Sequence, residues 1–349
     1  MTTRLLPTDE PETLDAAAQE AVALLKQGEV VALPTETVYG LAANALNAEA
    51  VAKIFEAKER PTFDPLIVHL PHRKDLKDVA EVPEAIAEVV DKIAHKFWPG
   101  PLTIILPKKA CVPDLVTAGL PTVAVRVSKD PVFMRVSRTF DGPLAAPSAN
   151  RFGSISPTSA SAVMAELEGR IPLVLDGGAS NHGIESTIIK IDPPAGTPKP
   201  VITILRPGPI TPDDLKEFGV VKHGFKAKHK DGEAAEAPGM LTSHYAPRTP
   251  LRLLSKPADF TQDFGKRYAL LSYRGEPDDG YIDLVEEWAG IHILTPGKGK
   301  LVEAGVRLFY ALRELDKLGV DEIIAEPVPE QGIGMAVMDR LRRASAKRG

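Results

Sequence analysis

Residues 33–69 decide the reading of this chain: L-P-T-E-T-V-Y-G-L at 33–41, an amphipathic stretch, then A-K-E-R-P-T-F-D-P-L-I-V-H at 57–69. Val30 to Leu33 reads as a buried strand, with Gly28 stopping the helix before it. Pro34 cannot donate to a central ladder. Thr35, Glu36, Thr37 and Tyr39 therefore fall on a loop at a strand's end, where α/β proteins place ligands. Asn47 is a candidate cap for a helix with Val51, Ile54 and Phe55 on its apolar face, and Pro61 ends that helix. Lys58 and Arg60 are two apart and would diverge on one helix. With Arg60 past the helix end, both can turn toward one anion. K-x-R alone also fits a solvated basic helix terminus, favourable to the macrodipole.

The 349 residues allow two domains of ordinary size. A net charge of −5 argues against a nucleic-acid backbone as the main partner, although a local basic pocket remains open. The single cysteine, Cys111, excludes an intramolecular disulfide framework and a cysteine-based zinc site, and reads as a plain packed or surface thiol. No apolar run approaches the ~20 residues of a membrane span, and the N-terminus carries no apolar signal core. The expectation is a cytoplasmic protein without membrane contact.

Leu14, Ala18, Val22 and Leu25 recur at helical spacing. Asp75 to Ala80 reads as a connector, and Pro83 opens a helix with Ile86, Val89, Val90, Ile93 and Phe97 inward. Strands are expected at Thr103–Leu106, Thr122–Val127, Leu144–Ala146, Pro172–Leu175, Ser186–Ile191 and Val201–Leu205, and helices at Pro131–Phe140 and from Thr211. Thr158 is the candidate cap of a helix running to Leu167. Arg126 puts a charge inside a β-branched strand, so it needs a partner. A structural salt bridge and an anion-binding role both satisfy that need. Ser148 and Asn150 also fit simple turn formers. Between 221 and 247 apolar anchors nearly vanish, which marks a linker. From Leu251 strands (251–254, 268–272, 291–294, 321–325) alternate with helices (301–318, 336–344), the pattern of a small parallel-sheet domain. P-G-K-G-K at 296–300 lacks the Ser or Thr of a phosphate loop and reads as an exposed turn.

Several segments resemble, in order, the YrdC-like domain of threonylcarbamoyl-AMP synthases. They are P-T-E-T-V-Y-G-L (34–41), K-E-R-P-T-F-D-P-L-I-V-H (58–69), P-G-P-L-T (99–103), T-V-A-V-R (122–126), P-S-A-N (147–150), S-P-T (156–158) and E-S-T-I (185–188). S-H-Y-A-P (243–247), L-F-Y-A-L-R-E-L-D (308–316), V-P-E-Q-G-I-G-M-A (328–336) and D-R-L (339–341) resemble the two-domain, long form of that family. The resemblance implies an α/β protein in three parts: a twisted, mixed open-sheet YrdC-like catalytic domain (1–220), a linker or lid (221–247) and a smaller Rossmann-like parallel α/β domain (248–349). It implies that L-threonine, bicarbonate and ATP give threonylcarbamoyl-AMP and pyrophosphate, for a downstream transferase that modifies tRNA, with no stable direct tRNA binding here. An amino-acid pocket then lies beside a nucleotide pocket. Carried over by position, Thr37, His69, Arg126, the backbone at Ala146, and Ser186 fall at the threonine site, Arg126 being suited to a bidentate clasp of the carboxylate. Lys58, Arg60, Asp64, Thr122, Ser148, Asn150, Ser156, Arg206 and Tyr245 fall at the ATP site. Lys58 and Arg60 are the residues expected to carry catalysis, by positioning and charge stabilisation. Mg2+ is expected to arrive with ATP, since no carboxylate cluster looks like a cage and the scattered histidines offer no metal motif. Tyr245 is expected to fold over the pocket as a lid, or else only to dock the linker.

Two departures stand out. Asp64 replaces the family's asparagine, which suggests a contact through its backbone or through Mg2+. Ser128 and Asp130 replace a proline and a histidine. Two other functions share the fold class. A hydrogenase-maturation carbamoyltransferase needs a zinc-finger module that one cysteine cannot build. An RNA-binding module fits poorly with the acidic balance.

Overall fold

The computed structural model describes residues 2–194, 196, 198–224, 236–240, 244–297 and 299–346. Its local logic starts at the helix Ala48–Lys58. The Asn47 side chain accepts from the amides of Glu49 and Ala50, capping the first turn as expected. Val51, Ile54 and Phe55 are buried on the inner face, Glu59 turns left-handed (φ 53°), and Arg60 leaves the helix. The cap at one end thus fixes where Lys58 emerges at the other.

The large sheet is built from β1 (Arg4–Pro7), β2 (Val31–Leu33), β3 (Gly40–Asn44), β4 (Ile67–His69), β5 (Leu102–Pro107), β6 (Thr122–Arg126), β7 (Leu144–Ala145), β8 (Leu173–Asp176), β9 (Thr187–Asp192), β10 (Val201–Arg206) and β11 (Val220–His223). Across the sheet the order is β1-β8-β2-β3-β7-β4-β6-β5-β9-β10-β11. Parallel and antiparallel pairs are interleaved, so the sheet is mixed. The helix Glu84–Phe97 buries Ile86, Val89, Val90 and Ile93 in the same core as Val51 and Ile54. β4 and β6 run parallel with His69 opposite Arg126, which brings two expected site residues side by side.

The second sheet holds β12 (Leu251–Leu253), β13 (Tyr268–Ser272), β14 (Ile291–Ile293) and β15 (Glu322–Ala325) in the order β12-β15-β13-β14, every pair parallel. Helices Leu301–Asp316 and Gly334–Ser345 pack on it. One apolar cluster joins Val38, Ile155 and Ile184 of the first half to Leu308, Phe309 and Leu312 of the second. The seam is close enough to need glycine. At Gly183 (φ 68°) a Cβ would lie 2.5 Å from the Val306 backbone.

Five elements differ from the expectation. β1 and β3 were not expected: R-L-L-P and G-L-A-A-N carry little β-branching, and strand pairing to β8, β2 and β7 makes them strands. Asp75–Ala80 is not a plain connector: a short 3-10 turn, Arg73–Asp75, leads into the helix Leu76–Val79, with Asp75 accepting from the His72 amide. The helix Ala160–Leu167 is capped by Ser159, not Thr158, whose carbonyl is held by the Ser180 amide. Val221 to His223, expected in the linker, pair with β10. Residues 225–235 and 241–243 of that linker, Ser243 of S-H-Y-A-P among them, and Lys298 of P-G-K-G-K lie outside the described residues.

Asn47→Ala is expected to lower stability by about 1 kcal/mol. Urea denaturation of the two proteins checks it.

Candidate active site

At the carboxyl ends of β4 and β6 the loop after β2 folds inward and its polar side chains become buried. Thr35 Oγ1 lies 2.8 Å from Thr37 Oγ1, and Thr37 Oγ1 accepts from Arg126 Nη1 at 3.0 Å. Arg126 also donates through Nε to the Gly100 carbonyl at 3.2 Å and pairs through Nη2 with Glu36 Oε1 at 2.8 Å. Ser128 Oγ donates to the other Glu36 oxygen at 2.6 Å. Burial pushes the Glu36 carboxyl up, but the Arg126 charge and the Ser128 hydroxyl outweigh it and hold it down to about 2. The salt-bridge reading of Arg126 is therefore the one the geometry shows. Of the Arg126 fork, Nη1 is taken by Thr37, while Nη2 lies at ion-pair distance from Glu36 without a hydrogen-bond partner.

Beside it, His69 rests edge-on against Phe133, with ring centroids 4.8 Å apart. Both its ring nitrogens are buried without a hydrogen-bond partner. Burial, reinforced by the Arg126 charge, lowers His69 to about 3, so the ring is neutral near pH 7. Ser186 Oγ lies 2.8 Å from Thr103 Oγ1 and accepts from Arg206 Nη2 at 3.0 Å. The Ala146 amide is spent on the Ile67 carbonyl, and Ala146 packs close to Gly40 in the cavity lining.

On the other side Lys58 donates to the carbonyls of Ser148 and Asn150. Burial, with Arg60 nearby, draws its ammonium well below the ordinary lysine range. Arg60 donates to the carbonyls of Asp64 and Pro65 and pairs with Asp64 Oδ2 at 2.9 Å. The Asp64 side chain is thus directed to Arg60. Asn150 donates through Nδ2 to the carbonyls of Arg151 and Ser154, while its Oδ1 is buried without a partner. Arg206 donates to the backbone and hydroxyl of Ser186 and to the Pro238 carbonyl. Ser156 donates to Glu185.

These groups meet around a small space of ≈ 50 Å³. Thr37, Arg60, His69, Arg126, Ala146, Ser148, Ser186, Arg206 and Tyr245 line it; so do Thr35, Glu185, Pro238, Gly239 and His244. Lys58, Asp64, Asn150 and Ser156 stand one layer behind, each touching a residue or loop of the lining. Thr122 is not brought to this cavity. It starts β6 while Arg126 ends it, a distance of roughly 13 Å at strand rise. Tyr245 closes one wall. It is buried at φ 63°, its hydroxyl has no partner, and its ring lies 5.5 Å from Phe309 and 5.4 Å from the Arg340 guanidinium. A Cβ at Gly239 would fall 2.6 Å from that hydroxyl, so the approach requires glycine. Buried polar atoms without partners are rare in folded proteins. Here His69, Asn150 and Tyr245 gather them around one cavity, the pattern of a ligand site. Among the described residues no group of three or more His, Cys, Asp or Glu could hold a metal ion, and no helix is long and apolar enough to cross a membrane.

The sequence reading assigned no role to Glu36, Glu185 and Arg340. The available signal was Arg126 itself, a strand charge that had to find a counter-ion.

Residues 23–208 match the family described as "Telomere recombination" (Sua5, YciO, YrdC), and residues 210–346 match the "Threonylcarbamoyl-AMP synthase, C-terminal domain" family. The chain is 39% identical over 339 residues to a threonylcarbamoyl-AMP synthase of Pyrococcus abyssi, spanning 94% of each protein. It is 39% identical to one of Bacillus subtilis over 350 residues, spanning 98% of this chain and 96% of the relative. A solved structure of P. abyssi Sua5 complexed with L-threonine superposes with a TM-score of 0.82 at 36% identity, covering 99% of this chain and 98% of that one.

Glu36 is less protonated in the folded state than in the unfolded one, so its contribution is complete above pH 4.5 and fades as pH falls toward 2. Glu36→Gln, which strands Arg126, is expected to cost roughly 3–5 kcal/mol at pH 7. The gap between the two proteins should narrow between pH 4.5 and 3 in denaturant titrations.

Proposed function

The chain belongs to the two-domain threonylcarbamoyl-AMP synthase family, and from that premise we propose that it condenses L-threonine, bicarbonate and ATP into threonylcarbamoyl-AMP, pyrophosphate and water. The observation that carries this reading is one cavity with two chemically distinct walls. Thr37, His69 and Ser186 offer neutral polar groups of a size to meet an amino acid, beside the Arg126–Glu36 ion pair. Arg60, Ser148 and Arg206, with Lys58 and Asn150 behind, offer donors and charge to phosphates. The L-threonine complex of the P. abyssi relative supports the first assignment.

In this reading threonine's amine takes up carbon dioxide as a carbamate, and a carbamate oxygen attacks the α-phosphorus as pyrophosphate leaves. No protein nucleophile is required. The chain's work is to align the two substrates and to meet the charge that moves onto the leaving phosphates. Lys58 and Arg60 are suited to that charge. Thr122 lies far enough along β6 that an elongated nucleotide is needed to reach it. Mg2+ enters with the nucleotide; Asp64 does not supply a cage, because Arg60 holds its carboxylate.

A carbamate and a mixed anhydride both decompose in water, which gives a closed cavity its use. The space of ≈ 50 Å³ is far below the ~300 Å³ of a small ligand pocket. The segment carrying Pro238, Gly239, His244 and Tyr245 must therefore shift to admit ATP, acting as the lid between a catalytic region 1–220 and a C-terminal region 248–349. The product is then handed to a cytoplasmic transferase that acts on tRNA, with no stable tRNA contact by this chain.

Pyrophosphate release should require L-threonine and bicarbonate together; equal release without threonine removes the assignment. Lys58→Ala should lower ATP turnover by ~10²–10³-fold with an unchanged circular dichroism spectrum.

A further inference from the structure

Arg340 sits on the helix Gly334–Ser345 of the second domain, and its side chain has no solvent exposure. Its Nε donates to Glu185 Oε2 at 3.0 Å. Its Nη1 donates to the Pro207 carbonyl at 2.7 Å and to Asp339 Oδ2 at 3.1 Å. Asp339 is shared, since its other oxygen accepts from Arg343 Nε at 3.0 Å. Glu185, by contrast, belongs to the first domain and lines the cavity beside Ser186 and Arg206. Its remaining oxygen accepts from Ser156. Arg206 turns to Ser186 and the Pro238 carbonyl, so the guanidinium that balances Glu185 comes from the other domain.

We propose that Arg340 is a positioning residue for nucleotide use: it neutralises Glu185 from across the domain seam, so that a triphosphate meets Lys58, Arg60 and Arg206 without an uncompensated carboxylate among them. The inference rests on the ATP reading above. Its physical basis is the cost of an unpaired charge in a buried wall. Without Arg340, Glu185 has two courses. It recruits Arg206, withdrawing a cation from the phosphates, or it stays unpaired and repels them. Either course weakens ATP. Neither reaches Thr37, Arg126 or Glu36; of the threonine wall only Ser186, which accepts from Arg206, feels the first course. The Pro207 contact adds a geometric part. It fixes the backbone immediately after Arg206, where the chain crosses residues 185–187 so tightly that a Cβ on Gly208 would lie 2.4 Å from the Thr187 amide. The second domain thereby acts on the cavity through charge as well as through packing.

Calorimetry on the full chain tests this, with ATP and L-threonine titrated separately. Arg340→Gln is expected to weaken ATP by roughly tenfold or more and L-threonine by clearly less, about threefold at most. Adding Glu185→Gln to Arg340→Gln should restore ATP binding to within a few-fold of the wild type, because the repelling charge is gone. A purely structural role predicts that the double variant is no better than the single one, and that both ligands weaken to the same degree; either result overturns the proposal. If Arg340→Gln does not fold, two variants still decide. Arg340→Lys should keep ATP affinity near the wild-type value, and Glu185→Gln alone should bind ATP at least as tightly as the wild type. A tenfold loss in Glu185→Gln would show that the carboxylate itself serves the nucleotide, and would overturn the inference. Threonine-dependent pyrophosphate release by the wild type is scored apart: its absence removes the synthase reading, whereas wild-type turnover with unchanged ATP binding in Arg340→Gln removes only this one.

Discussion

A lysine ammonium buried to 1% exposure, with backbone carbonyls as its hydrogen-bond partners, is the constraint around which this cavity is arranged. Carbonyl dipoles orient Lys58 but do not neutralise it. Burial draws its pKa well below the ordinary value, Arg60 adds to that effect, and Asp64 and Glu166 only partly offset it. Burial likewise lowers Arg60 and Arg206. Asp64 has one immediate cation, Arg60, and cannot serve three. A site with this imbalance gains most from an incoming anion of several charges, and a triphosphate is such an anion. The local architecture delivers that imbalance. Asn47 caps the helix so that Lys58 emerges at its end, and P-S-A-N turns so that two carbonyls meet it.

The wall carrying Arg126 works by the opposite rule, a charge with its counter-ion. Arg126 is buried against Glu36, Thr37 and Gly100 accept from it, and Ser128 donates to Glu36. A neutral, unpartnered His69 then stands next to a balanced ion pair. Such a wall reads hydrogen-bonding shape more than net charge. It suits a small hydroxylated zwitterion, for which a bare cation would favour any carboxylate over the right one.

How much of this was legible in the sequence depends on the range of the physics. The helix 48–58 was legible because its cap, its stripe and its terminating proline lie within fifteen residues. The parallel second sheet was legible from the alternation of apolar runs. β3 was not, since G-L-A-A-N becomes a strand only by lying between β2 and β7. Thr158 and Ser159 differ by one position, and a distant amide from Ser180 decided which one caps. In the site, Lys58 and Arg60 acquired a role from the ordered motifs. Glu36 and Glu185 did not, although both lie inside quoted motifs. A sequence displays a charge but not its partner, and Arg340 finds Glu185 from 155 residues away.

The same range argument explains why the second domain belongs to the cavity. Tyr245 holds a left-handed backbone and a buried hydroxyl without a partner, two unfavourable features for a linker residue. They persist where surrounding contacts over-determine them. Those contacts are the Phe309 ring, the Arg340 guanidinium and the apolar cluster that also takes in Ile184 and Leu308. Apart from Ile184, each belongs to the second domain. The segment that closes the cavity is therefore held from both sides: Ala237, Pro238 and Met240 rest on the first domain, and the Tyr245 ring packs on the second. The large sheet presents the cations, and the second sheet's helices stand behind Tyr245.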